Sequence, residues 1–276
     1  MLSFPIKPML LQSRHDPFNS DDYFFEWKVD GIRCIMFFDS GKVRLQSKNG
    51  KDCSKQFPEL MSPQLEAQES VFDGEITIFT GGKPDFEGVM ERYLAGEKKI
   101  TSLVLAKPAV YIVWDILWVD DRSVMELPLL ERKETLEQSL GDSSSIQKID
   151  WVDGYGLIRW AAVKDHGLEG IVAKKKNSRY IPWQRSASWL KIKNYQEITV
   201  NVFGYSRKDG GVLVGTGNRV QGHAIGMGNT DRNVLRELLD QYGIEKAITF
   251  TFLPVFGGGL SLPLGHPGKT CGTVVG

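Results

Sequence analysis

Strand-like runs rich in apolar, aromatic and β-branched residues occupy 22–29, 32–38, 42–47, 71–79 and 110–119, and a period of two, clearest at 25–30, predicts which side chains share a face. A period near 3.6 replaces it in FEGVMERYLA at 86–95 and in PLLERKETLEQSL at 128–140, where Pro128 suits a first helical turn. The polar connector DSSSIQ at 142–147 leads to a third helical pattern, YGLIRWAAVKDH at 155–166, which Gly167 should end. Strands and helices interleaved in this way predict an α+β domain of twisted antiparallel sheet with flanking helices.

The pattern shifts near 195–200. From Glu197 onward come short β-rich runs (ITVNVFGY, GVLVGTGNRV, AITFTFLPVF), many glycines and one helical pattern at 231–242. We therefore expect two domains, 1–196 and 197–276, the second a small β-barrel of the OB type.

Composition narrows the classes without naming one. The apolar and charged fractions, 41% and 25%, are those of an ordinary globular chain with a sizeable core. Thirty-four basic and 34 acidic residues balance, so global charge points to no partner. Cys34, Cys53 and Cys271 are far apart and odd in number, which argues against a disulfide framework and a cysteine metal site. A reducing, cytoplasmic setting is expected. The apolar N-terminus is interrupted by Pro5, Lys7 and Pro8, so no signal peptide is expected, and no stretch has the length of a membrane span.

Local chemistry is more informative. In EWKVDGIR at 26–33, an extended chain puts Phe25, Trp27 and Val29 on one face and Glu26, Lys28 and Asp30 on the other. Asp30-Gly31 is a hairpin signal, so FFEWKV and IRCIMFF read as two arms with one solvated face, or as strands presenting a chemical one. Residues 170–196 hold seven Lys and Arg residues and no acid, interleaved with Tyr180, Trp183 and Trp189. Lys191 and Lys193, two apart on a strand, aim both amines to one side and can clamp one phosphate.

Five stretches in order carry a resemblance: EWKVDGIR at 26–33, FDGEI at 72–76, YIVWDILWVD at 111–120, EGIVAKK at 169–175 and SWLKIK at 188–193. Together they resemble the ATP-dependent DNA ligases of the covalent nucleotidyltransferase superfamily, over about 1–195. The resemblance implies an adenylation domain followed by an OB domain. It implies ATP and Mg²⁺ or Mn²⁺ as cofactors, nicked duplex DNA as partner, no membrane, and a monomer. It casts Lys28 as the nucleophile that takes AMP, with Lys191 and Lys193 assisting. Glu26, Arg33, Lys48, Glu75, Trp114 and Lys174 would complete the nucleotide site, with Trp114 stacked on adenine. Glu75 and Glu169 would hold the metal, since magnesium favours carboxylate oxygens. Nearby cations and metal are expected to favour the neutral Lys28 amine, with Glu26 and Asp30 opposing them.

Lys48 stands in SKNG, where the family often has arginine; lysine keeps the charge but loses the bidentate fork. The family's basic-acidic motif in the OB domain, which orients pyrophosphate, has no match after 197; Lys208, Arg219 or Lys269 would substitute. Arg179, Arg185 and Lys208 are assigned to DNA, with an affinity that falls steeply with salt. The rival readings are an RNA ligase or guanylyltransferase and, from another class, a non-catalytic nucleic-acid-binding module.

Overall fold

A computed structural model describes residues 2–65 and 67–205, and beyond them 212–216, 219–225, 233–234, 237, 241, 247–252 and 270–274. The chain divides into two compact units, Met1–Lys193 and Asn194–Gly276.

The first unit holds twelve strands and four α-helices. The strands are β1 (Leu10–Ser13), β2 (Tyr23–Trp27), β3 (Ile32–Asp39), β4 (Lys42–Ser47), β5 (Glu69–Thr80), β6 (Lys83–Pro84), β7 (Ala109–Val119), β8 (Arg122–Ser123), β9 (Ile146–Lys148), β10 (Trp151–Asp153), β11 (Gly170–Lys175) and β12 (Arg185–Lys193). The helices are α1 (Phe86–Leu94), α2 (Glu97–Ala106), α3 (Leu129–Ser139) and α4 (Gly156–Asp165). The strands form two sheets. One runs β4-β3-β5-β7-β8, with β6 on β5 and β9 on β7; the other runs β1-β12-β11-β2-β10. Most neighbours are antiparallel, as expected. The pairs β1–β12 and β7–β9 are parallel, because each joins strands that no tight turn connects.

Apolar side chains pack in three layers. Met36, Phe72, Ile76 and Val113 on one face of the larger sheet meet Val89 of α1 and Leu136 of α3. Ile35, Phe37, Val71 and Ile112 on its other face pack with Phe24 and Trp189 of the second sheet. Phe25, Ile171 and Ile192, on the far side of the second sheet, cover Val163 of α4. Neighbouring side chains of one strand thus serve different layers, which explains why Phe24 and Phe25 are both buried.

Local signals set the helix ends. Asp85 caps α1 by accepting the Gly88 amide at 2.8 Å. Pro128 sits just before α3 rather than inside its first turn. After α4, Gly167 takes a φ of 62°, its amide reaching the Lys164 carbonyl while that of Leu168 reaches Val163. Helix α2 was not anticipated by the period of its sequence. The expected pattern at 231–242 lies largely outside the described residues.

The Asp30-Gly31 signal does not make a hairpin. Strand β2 belongs to one sheet and β3 to the other, so Lys28–Gly31 is a crossover between them. Gly31 is required there by space: a Cβ would lie 2.3 Å from the Ile76 carbonyl oxygen of β5. Gly31→Ala is therefore expected to part β3 from β5 and to cost about 1–3 kcal/mol in denaturant unfolding. An unchanged midpoint would show that the crossover has slack.

In the second unit, β13 (Gln196–Tyr205), β14 (Val212–Thr216), β15 (Arg219–Ile225), β16 (Ala247–Phe252) and β17 (Thr270–Val274) close into a barrel in the order β13-β14-β15-β17-β16. All pairs are antiparallel except β15–β17.

Candidate active site

The two sheets of the first unit face each other across a cavity of about 300 Å³. Strand register decides which side chains enter it. Glu26 pairs with Val172, and Val172 with Lys191. Lys174 pairs with Trp189, and Gly170 with Lys193. Partners across a ladder share a face, so Glu26, Lys174, Lys191 and Lys193 all face inward from the second sheet. Arg33 pairs with Glu75, and Ile35 with Asp73, which places those charged groups on the inner face of the larger sheet. The polar face of EWKVDGIR is therefore not a solvated surface but the lining of a cleft.

Lys28 lies just past the end of β2. Its amide donates to the Gly170 carbonyl at 2.7 Å, which fixes the backbone against β11. Gly170 itself has a φ of 151°, and a Cβ there would meet the Ile192 carbonyl at 2.1 Å. The Lys28 ammonium donates to Glu169, and Lys193 lies 3.8 Å from the other oxygen of that carboxylate. Burial alone would lower the Lys28 pKa, but Glu169, Glu75 and Asp30 outweigh it and push it above the ordinary lysine value. With no ligand the amine is held protonated. This corrects the expectation of a neutral amine in one respect: the opposing carboxylates are Glu169, Glu75 and Asp30, whereas Glu26 is engaged elsewhere.

Lys28 and Lys193 pair with Glu169, which leaves Asp30 and Glu75 short of positive charge. Burial, then repulsion from Glu169, raises Asp30 to about 6. Burial dominates at Glu75, with Glu169 and Asp30 adding to it, and its pKa rises to about 8. Among the described residues no three of His, Cys, Asp and Glu converge to hold a metal ion by themselves. The all-oxygen set fits an ion that takes one or two carboxylates and finds its remaining ligands on a substrate and water, as magnesium does.

Glu26 is buried between two lysines, Lys133 of α3 on one oxygen and Lys174 on the other, each at 2.7 Å. Burial works to raise its pKa, but the two ammonium groups prevail and hold it low. Glu26 is thus an anion that can only accept hydrogen bonds. Burial, reinforced by Lys133, depresses Lys174 to about 8 against the pull of Glu26. Lys174 also lies over Trp114 and Trp189, at 5.1 and 4.4 Å from their ring centres.

Trp114 lines the cavity beneath Arg33, whose guanidinium carbon is 4.7 Å from the ring centre. A bulge in the β5–β7 ladder between Asp73 and Gly74 breaks the expected alternation. Ile116 consequently packs with Val113 in the outer layer rather than with Trp114. Arg33 spends its fork on Asp73, at 2.6 and 2.5 Å, and reaches the Met9 carbonyl at 3.2 Å. Arg33 is fixed as a wall cation above the tryptophan.

Lys48 is exposed at the cavity rim. Among the described residues Lys191 has no carboxylate at ion-pair distance, and burial together with Lys193, Lys28 and Arg185 lowers its pKa. Arg185 is exposed, lines the cavity and donates to the Leu11 carbonyl. Arg179 points away from the cavity and pairs with Glu126 at 3.0 Å. Arg219 is exposed on β15. Lys208 and Lys269 lie outside the described residues.

Sequence reasoning overlooked Lys133, Asp73 and the buried pair Asp115–Arg132. A signal existed for two of them. Leu129, Arg132, Lys133 and Leu136 recur at core-facing helical spacing, so cations occupy positions that ought to be apolar. Asp73 lies inside β5, fully buried, and accepts from Arg33 and Tyr180.

The charge of Lys174 gives a pH test. Deprotonation near pH 8 removes a cation from the cavity wall, so binding of a polyanionic nucleotide should weaken as pH rises through that value. Fluorescence titration with ATP should show a larger step in the native chain than in Lys174→Met, where ionisation of Glu75 near the same pH remains. A step of equal size in both would assign it to another group.

A family model described as the ATP dependent DNA ligase domain matches residues 8–193. The SPbeta prophage-derived DNA ligase-like protein LigB of Bacillus subtilis is 38% identical over 205 residues, covering 74% of this chain and 73% of that one. The bifunctional non-homologous end joining protein LigD of the same organism is 29% identical over 267 residues; the match takes in 88% of this chain and 43% of LigD. Among solved structures, mycobacterial DNA ligase D complexed with ATP and MES shares the fold at a TM-score of 0.60 and 24% identity, covering 90% of this chain and 89% of that one. A Lig E DNA ligase structure aligns at 0.63 with 17% identity, over 92% and 93% of the two chains.

Proposed function

The chain belongs to the ATP-dependent DNA ligase family, and from that premise we propose that it seals nicks in duplex DNA through a lysyl-AMP intermediate. The observation that carries this reading is Lys28, held at the crossover between two sheets with Glu169 beside it and Lys191 and Lys193 on β12, one strand beyond β11. In our reading the adenine lies on Trp114 within reach of the Glu26 carboxylate, and the triphosphate runs toward Lys191 and Lys193.

Lys28 attacks the α-phosphorus: the Nζ–P bond forms, the bond to the bridging oxygen breaks, and pyrophosphate leaves. The amine must first give up the proton that Glu169, Glu75 and Asp30 favour. Cationic Lys191 and Lys193 stabilise the charge that grows on the transferring phosphoryl group. The AMP then passes to the 5′-phosphate of a nick, and the 3′-hydroxyl displaces it. A divalent ion, Mg²⁺ or Mn²⁺, bound through Glu75 or Glu169 would neutralise phosphate charge. Residues 1–196 then form the adenylation domain, and 197–276, with its closed barrel, an OB-type module that acts on DNA. We propose a monomer working in the cytoplasm; among the described residues no helix is long and apolar enough to cross a membrane.

The test compares α-labelled ATP with GTP, and nicked DNA with nicked RNA. Label transferred from ATP to the protein, and sealing of DNA, are expected. Preference for GTP or for an RNA nick would replace this reading with one of its rivals, and no covalent label with any nucleotide would remove it.

A further inference from the structure

The aromatic residues interleaved with the basic stretch have separate fates. Tyr180 and Trp189 are buried, while Trp183 is 61% exposed. Trp183 stands on the loop that joins β11 to β12 and has a φ of 64°, a left-handed conformation that side chains larger than Asn rarely adopt. A bulky residue kept in such a conformation, on the surface, is a candidate for function rather than packing. Its position is fixed. The Trp183 amide donates to the Lys7 carbonyl at 3.2 Å, and the Lys7 ammonium sits 4.3 Å above the ring. One step further, the Gln184 carbonyl accepts the Leu10 amide at 2.9 Å. The ring therefore rides on the segment Pro8–Leu11, which walls the cavity, yet it does not itself line the cavity.

The charge around it has one sign along the sequence. Residues 1–15 contain Lys7 and Arg14 and no acid, and residues 170–196 contain seven cations and no acid. The carboxylates that reach this basic strip from other elements pair with Lys174, Lys176, Arg179 and Lys193. Lys7 and Arg185 are exposed beside Trp183 and carry no carboxylate at ion-pair distance among the described residues.

We propose that Trp183 is a nucleic-acid contact, a platform that packs against the sugar or base edge of the duplex while Lys7 and Arg185 take its phosphates. The inference rests on the ligase reading above and adds a residue that positions the nick at the mouth of the adenylate cavity. An exposed aromatic side chain with Lys7 against its ring, and Arg185 two residues further along the chain, matches a ligand that alternates flat bases with anionic phosphates. A free nucleotide has its own place in the cavity on the ligase reading, and Trp183 lies outside that cavity.

The experiment measures binding of a fluorescent nicked duplex by anisotropy, together with AMP uptake from α-labelled ATP, in the full chain. Trp183→Ala and Trp183→Gly should weaken duplex binding by roughly 5- to 150-fold, the range for losing one base–aromatic contact. Trp183→Phe should retain most of the affinity. AMP uptake should stay at the native rate in all three. Because glycine accepts the left-handed conformation, Trp183→Gly keeps the loop foldable and separates lost contact from lost structure. Native duplex affinity in Trp183→Ala and Trp183→Gly overturns this inference and leaves the ligase reading standing. AMP uptake without duplex binding in the native chain overturns the ligase reading and the inference with it. Altered sedimentation of the variants with unaltered duplex binding would instead assign the ring to contact with a second copy.

Discussion

Lys28→Ala is expected to abolish covalent labelling by α-labelled ATP, and with it all sealing that starts from ATP. No neighbouring amine can replace it. Lys174 is paired to Glu26, and Lys191 and Lys193 lie on β12, two strands away from β2, rather than at the crossover. The loss is specific to the steps in which the enzyme carries AMP. A nick that is already adenylated needs only attack by its 3′-hydroxyl, so Lys28→Ala should still close it. Gel electrophoresis of both reactions makes the comparison. Label persisting in Lys28→Ala would move the nucleophile elsewhere, and failure on the adenylated nick would give Lys28 a role beyond carrying AMP.

The second large effect concerns stability. Arg132 and Asp115 are both fully buried and joined by two hydrogen bonds, at 2.8 and 2.9 Å. Arg132 also donates to the carbonyls of Leu127 and Ser178, tying the entrance of α3 to the loop after β11. Arg132→Ala strands a buried carboxylate and several acceptors, which should cost about 3–5 kcal/mol. All seven tryptophans fall within the first unit, so their fluorescence follows its unfolding alone. Replacing both partners, as in Arg132→Met with Asp115→Leu, should recover much of the loss, because no charge is then left unpaired. A single variant within about 1 kcal/mol of native would mean that water reaches the pair.

The site was legible where chemistry and strand parity coincide. Lys28, Glu169, Lys191 and Lys193 were named from short motifs, and alternation placed the two distal lysines on one face. Legibility failed where the outcome depended on distant partners. Asp30-Gly31 carries a strong local turn signal, yet the chain uses it to change sheets, because β2 finds its partners in β10 and β11. Alternation around Trp114 misleads, since one bulge moves Ile116 to the opposite layer before a second returns Trp118 to the layer of Trp114. Lys133 passed as an ordinary helical lysine until the fold set Glu26 against it. The barrel was anticipated from its glycines and short runs; its helix and Lys208 fall outside the described residues.

The crossover that carries Lys28 has a mechanical corollary. Glu169 and Lys193 travel with one layer, Glu75 and Arg33 with the other, and Lys28 hangs from the thread that joins them. A nucleotide gripped from both sides would act as a rivet, resisting any sliding of one layer over the other. Slowed hydrogen exchange at the Lys28 amide, anchored on Gly170, would be the place to feel that stiffening.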